Sequence, residues 1–188
     1  METPRRRRRK KKTPNSKQLL IAGCVIGAVA LIVAACFFLG GGTKDEGPVA
    51  YDPNRGPLKE LKVNSLTRKG ETMVVDTSYG EVEYPYAFSD LIQVESLNQD
   101  NQTALAFSAR INNEDKALYT VWFNGSEGQT VGAFDLQDGE KPVLITVVFY
   151  QPGAELVGDD RTTYYATQET VNDVLTALQR NQNFSTIA

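Results

Sequence analysis

The sequence predicts an α+β protein: a single N-terminal transmembrane helix, then an antiparallel β-sheet domain with a C-terminal amphipathic helix packed on one face. Three observations carry that expectation. The apolar run from Leu19 to Leu39 holds no charged residue. From Met73 onward, short segments of alternating apolar residues follow one another between polar turns. After Thr167 the apolar period lengthens from two residues to between three and four, the spacing of a helix face.

The run LLIAGCVIGAVALIVAACFFL, at about 1.5 Å of rise per residue, is long enough to cross a hydrocarbon core of about 30 Å. Before it, residues 1–17 carry Arg5 to Arg9, Lys10 to Lys12 and Lys17 against Glu2 alone, with Pro4 and Pro14 and no apolar anchor. Such a segment cannot bury enough surface to fold and reads as a disordered polybasic cytoplasmic tail. The whole chain has a net charge of −3, so the part beyond the run is strongly acidic. Basic flanks are retained on the cytoplasmic side, which places the N-terminus inside and the C-terminal domain outside the cell membrane. The lipid bilayer is thus the partner of Leu19 to Leu39. Anionic headgroups are the partner of Arg5 to Lys12, each charge near the surface adding about 1 kcal/mol. Nucleic acid is not expected, because the span begins within two residues of Lys17.

Two further readings attach to the span, residues 18–40. Val33-Ala34-Ala35-Cys36 has the form of a lipobox, so the alternative to an uncleaved helix is a lipoprotein anchored at Cys36. Phe37, Phe38 and Leu39, which extend the apolar run past the cysteine, favour the helix. Gly23, Gly27, Ala30 and Ala34 form a stripe of small residues that would let a second helix approach, a route to self-association. Gly40 to Gly42 end the helix, and residues 41–57, with Pro48, Pro53 and Pro57, read as a flexible tether.

Residues 58–188 form the exterior domain. Leu58 to Val63 read as a lead-in with a weak alternation at Leu61 and Val63, and clear strand signals begin at Met73. Met73 to Val75 and Val82 to Tyr84 flank Asp76 to Gly80, a hairpin with glycine at the end of its turn. Pro85, which has no N–H to donate, takes the chain off the ladder. Strands follow at Leu91 to Leu97, Ala104 to Ile111 and Ala117 to Phe123, the last apolar on both faces and therefore central. Val131 to Leu136 is shorter, and Val143 to Tyr150 is the most β-prone segment and the expected middle of the sheet. Thr167 reads as the N-cap of the closing helix, with Glu169 in its first turn and Val171, Val174, Leu175 and Leu178 on one stripe. The segment YGEVEYPYAF, the run of strands and the closing VNDVLTALQ helix together resemble PsbP-like α/β/α domains and single-pass membrane-anchored exterior domains of bacteria. The likeness implies a small accessory or binding role and transfers no site residue.

The chain has no histidine, and its two cysteines, Cys24 and Cys36, both lie in the apolar run. Serine, cysteine and zinc hydrolase constellations that require histidine or thiol cannot be assembled outside the membrane. A disulfide-free exported domain fits a bacterial envelope. No catalytic residue, metal site or cofactor is expected. Asp135 with Asp138 and Glu140, and Asp159 with Asp160, are acids in turns, where turn geometry and solubility account for them. Gly125 to Gly128 lacks the lysine and helix of a phosphate loop. Asn101, Asn124 and Asn183 head glycosylation acceptor triplets. Tyr119, Trp122, Phe134, Phe149, Tyr150, Tyr164 and Tyr165 are expected in the core rather than around a ligand. Lys44, Lys59, Lys62, Lys69, Lys116 and Lys141 fall in the tether, the lead-in or at turns, where a lysine is a surface charge. The function expected is that of a non-enzymatic, membrane-anchored binding or accessory component of an envelope assembly, its partner an envelope protein. The alternatives are a carboxylate-dependent hydrolase of cell wall or glycan, for which the aspartates 159 and 160 are the example pair, and an exterior ligand sensor.

Overall fold

The computed structural model describes residues 49–136 and 141–186. The expected cytoplasmic tail, the expected span with Gly23, Gly27, Ala30, Ala34 and Cys36, and the acids Asp138 and Glu140 lie outside the described residues. Among the described residues no helix is long and apolar enough to cross a membrane.

The domain is an antiparallel β structure with a C-terminal helix packed on it, and its strands divide into two sheets. The smaller sheet has the order β1-β2-β3, from β1 (Val63–Lys69), β2 (Thr72–Thr77) and β3 (Gly80–Pro85). The larger has the order β4-β5-β6-β8-β7-β9, from β4 (Ile92–Asn98), β5 (Thr103–Ile111), β6 (Glu114–Phe123), β7 (Gln129–Phe134), β8 (Val143–Phe149) and β9 (Phe184–Ser185). The expected single sheet is corrected to two, and the break has a chemical cause. Pro85 ends β3, a 3-10 turn follows over Tyr86–Phe88, and β4 starts a new ladder.

The β2–β3 hairpin lies where the sequence places it. Thr77 pairs with Gly80 across Ser78 and Tyr79, the Thr77 hydroxyl donates to the Gly80 carbonyl at 2.6 Å, and Gly80 has φ +119°. The β5–β6 turn is the two-residue kind that matches strand twist, with Asn112 and Asn113 at φ 54° and 64°. Asparagine tolerates that region where most residues do not. A bulge in β6 then leaves Leu118 opposite no residue of β5, and this side chain is fully buried. Both β6 and β8 are interior strands, as their apolar character requires.

Two elements differ from the sequence expectation at the C-terminus. A helix α1 (Gly158–Gln168) precedes α2 (Val171–Gln179), so Thr167 lies within α1 and Thr170 takes the N-cap position of α2. The polar run GDDRTTYYATQ has no apolar stripe; it buries only Tyr164 and Thr167. The α2 stripe is as expected, with Val171, Val174, Leu175 and Leu178 all buried. It enters one core with Tyr79, Val82 and Tyr84 of the smaller sheet and Phe107, Tyr119, Phe123 and Ile145 of the larger. Tyr79 packs edge-on against Phe123 at 5.0 Å, and Phe107 stacks on Tyr119 at 4.7 Å. Strand β9 then pairs with β7 beside Gly132, where a Cβ would stand 2.2 Å from Phe184 Cζ.

Candidate functional site

No acid cluster forms a metal site among the described residues. Asp159 and Asp160 lie in the first turn of α1, where carboxylates complement the helix dipole. The Asp160 carboxylate accepts a 2.7 Å hydrogen bond from the Asn112 amide of the β5–β6 turn. Lys116 is more covered than a surface lysine, with its side chain 19% exposed. It remains an ammonium, because the Glu114 and Glu155 carboxylates at 2.6 and 2.9 Å raise its pKa.

The aromatic residues separate by face. Tyr119, Phe134 and Tyr164 are fully buried, as core side chains. Burial raises the pKa of the phenols of Tyr84, Tyr119 and Tyr164, the last to about 12. The Tyr164 hydroxyl donates to the carbonyls of Ala117 and Tyr150 at 2.6 and 2.9 Å, which pins α1 to β6 and to the end of β8. The Tyr119 hydroxyl meets Thr170 Oγ1 at 3.0 Å. The Tyr84 hydroxyl is buried with no hydrogen-bond partner.

The asparagines of two acceptor triplets serve the fold. The Asn124 side-chain amide accepts from the Asp52 N–H at 3.1 Å and donates to the Asp52 carbonyl at 3.2 Å, and it is 1% exposed. Asn101 donates toward the Asp52 and Pro53 carbonyls. Asn98 repeats the pattern of Asn124 on Leu61, accepting from its N–H at 2.8 Å and donating to its carbonyl at 3.0 Å. Between these two clamps the Leu58 N–H donates to Asp100 O, the Tyr79 hydroxyl to Lys59 O, and Ser78 Oγ to Glu60 O. Residues 51–62, read from sequence as tether and lead-in, are therefore a strap laid on the domain. The signal that would have found it is the asparagines, since an Asn side chain offers a donor and an acceptor spaced like those of a peptide group.

Two surfaces remain open. On the larger sheet the face opposite the core carries the cross-strand row Leu97, Ala104, Trp122 and Thr146, in which the small Ala104 and Thr146 are buried and Leu97 and Trp122 reach the surface. Trp122, Leu144 and Val148 are only part-buried there, and Leu97 is exposed. On the smaller sheet β1 is an edge, and every residue from Asn64 to Lys69 is exposed. No family model, curated protein or solved structure matches the chain, and the PsbP-like likeness rests on the order of elements alone.

Proposed function

We propose that the chain is a single-pass membrane protein with a cytoplasmic basic tail, whose exterior domain binds an envelope protein and catalyses no reaction itself. The observation that supports this best is the open face of the larger sheet, where the chain's single tryptophan lies with Leu97, Leu144 and Val148 instead of in the core. Adjoining apolar side chains left on one sheet face mark an interaction surface, and tryptophan is the side chain most enriched at the energetic centre of such surfaces. The strap sharpens the location. Between Leu39 and Asp52 a chain reaches at most about 45 Å even when fully extended, so the partner lies close to or in the membrane.

The test is a photo-crosslinking residue at Leu97 in the full chain, in the membranes of intact cells. The expected result is one crosslinked membrane or envelope protein, lost with Trp122→Glu but kept with Asp159→Asn and Asp160→Asn together. Turnover of a cell-wall glycan by the purified full chain, abolished by that aspartate pair, would replace this reading with the hydrolase. A crosslink that persists in Trp122→Glu would remove this face from the function.

A further inference from the structure

We infer that β1 is a self-complementary edge through which two copies of this chain join, β1 against β1, with the two Leu66 side chains facing each other. The inference stands on a different surface from the open face of the larger sheet and does not rest on the reading above.

The register of the smaller sheet carries the argument. Leu66 pairs with Val75, and Val75 pairs with Val82, so the three form one cross-strand row on one face. Val75 and Val82 are 0% and 1% exposed, whereas Leu66, at the end of the row, is 44% exposed. The apolar row stops at an uncovered side chain. A second β1 laid antiparallel about Leu66 extends it into Val82, Val75, Leu66, Leu66, Val75 and Val82 across six continuous strands. In that register Ser65 meets Thr67 of the other copy, a hydroxyl pair of the kind that stabilises neighbouring strands. Asn64 meets Arg68, and Val63 meets Lys69, so no like charges oppose each other.

The charges also select this register over its neighbours. Centring the pair on Arg68 would set two guanidinium groups face to face, and centring it on Thr67 would set Arg68 against Leu66. Both cations are already held within their own copy: Arg68 lies 3.6 Å from the centre of the Tyr86 ring, and Lys69 reaches Glu81 at 3.1 Å. They therefore do not guard the edge as free lysines and arginines do. The bulge at Asn64 ends the regular part of the strand and confines the clean ladder to Ser65 and the residues after it. That favours a short, two-fold contact over an open-ended fibre.

The test uses the full chain in membranes, with Cys24→Ser and Cys36→Ser so that any introduced thiol is the only one. Directly opposed residues bring Cα atoms to about 5 Å, within disulfide reach, whereas Thr67 and its counterpart stand about 8 Å apart, beyond it. Under mild oxidation Leu66→Cys is expected to give a covalent dimer, as are Ser65→Cys and Thr67→Cys chains made together, while each of the latter made alone stays monomeric. Adding Leu66→Glu to the mixed pair should abolish its dimer. Absence of both dimers, a Thr67→Cys homodimer as abundant as the others, or capture of a different protein in place of a second copy would each overturn the inference.

Discussion

Three tyrosines show how the same side chain takes opposite values according to what its hydroxyl meets. Tyr164 shares its one proton between two carbonyls within the fold, and Tyr84 finds no partner among the described residues. A buried hydroxyl without a partner costs about 1 to 3 kcal/mol, whereas a satisfied one contributes about 1 kcal/mol. Tyr84→Phe is therefore expected to raise the denaturant midpoint and Tyr164→Phe to lower it. Equal losses in both would place a hydrogen-bond partner on Tyr84. Burial favours the neutral form of Tyr84, Tyr119 and Tyr164, so their folded pKa values lie above the ordinary value of about 10. The sign follows from linkage. Their contribution to stability is complete below pH 10 and is lost as pH rises above it, for Tyr164 through about 12. Absorbance of tyrosinate should accordingly show Tyr84, Tyr119 and Tyr164 ionising only as the domain unfolds.

Among the elements, α2 has the most direct link from sequence to energy. Leu175 is buried on the stripe, and Thr176 is exposed one position on. Leu175→Ala should cost about 2 to 5 kcal/mol and Thr176→Ala close to nothing, read from denaturant midpoints. Interior elements of this kind were legible because burial writes a period into the sequence: β5 with Leu105, Phe107, Ala109 and Ile111, the two-sided apolar β6 and β8, and α2 itself. What escaped was held by something other than burial of an apolar stripe. Strand β1 is paired but exposed, and Leu66 is its one apolar residue between Asn64 and Lys69, so no apolar period marks it. Helix α1 is fastened by the Tyr164 hydroxyl and the Gln168 amide, which donates to the carbonyls of Leu118 and Tyr150. The strap is held by the asparagine side chains that grip its backbone and by Leu61, which is fully buried in the core; a single buried leucine sets no period. The sequence places Trp122 in the core, because a tryptophan in an apolar strand carries no mark of which side it will face.

At the scale of the whole molecule, the strap changes which part of the chain is vulnerable from outside. Trypsin added to intact cells should release the domain by cutting at Lys44. It should leave Arg55, Lys59 and Lys62 intact, because bound backbone cannot adopt the extended form a protease requires. Asn98→Ala with Asn124→Ala should open these three sites while leaving the core folded, as judged by the fluorescence of Trp122. Cleavage at Arg55 in the unmodified chain at the rate of Lys44 would contradict the clamps. Recovery of a cut tail with the domain protected would reverse the orientation.

The same strap defines what happens when the molecule is pulled. A load applied from the N-terminal side, where the proposed anchor lies, meets Asn124 on Asp52 first, then Asp100 and Tyr79, then Asn98 on Leu61, and only afterwards the ladder of β1. Each grip consists of a few side-chain hydrogen bonds that fail one after another rather than together. Their release frees residues 52–60, about 30 Å of extended chain, up to Leu61, which is fully buried in the core. Asparagines in two loops and at one strand end thus set an order of release along the strap, with the buried Leu61 side chain as its final hold on the core.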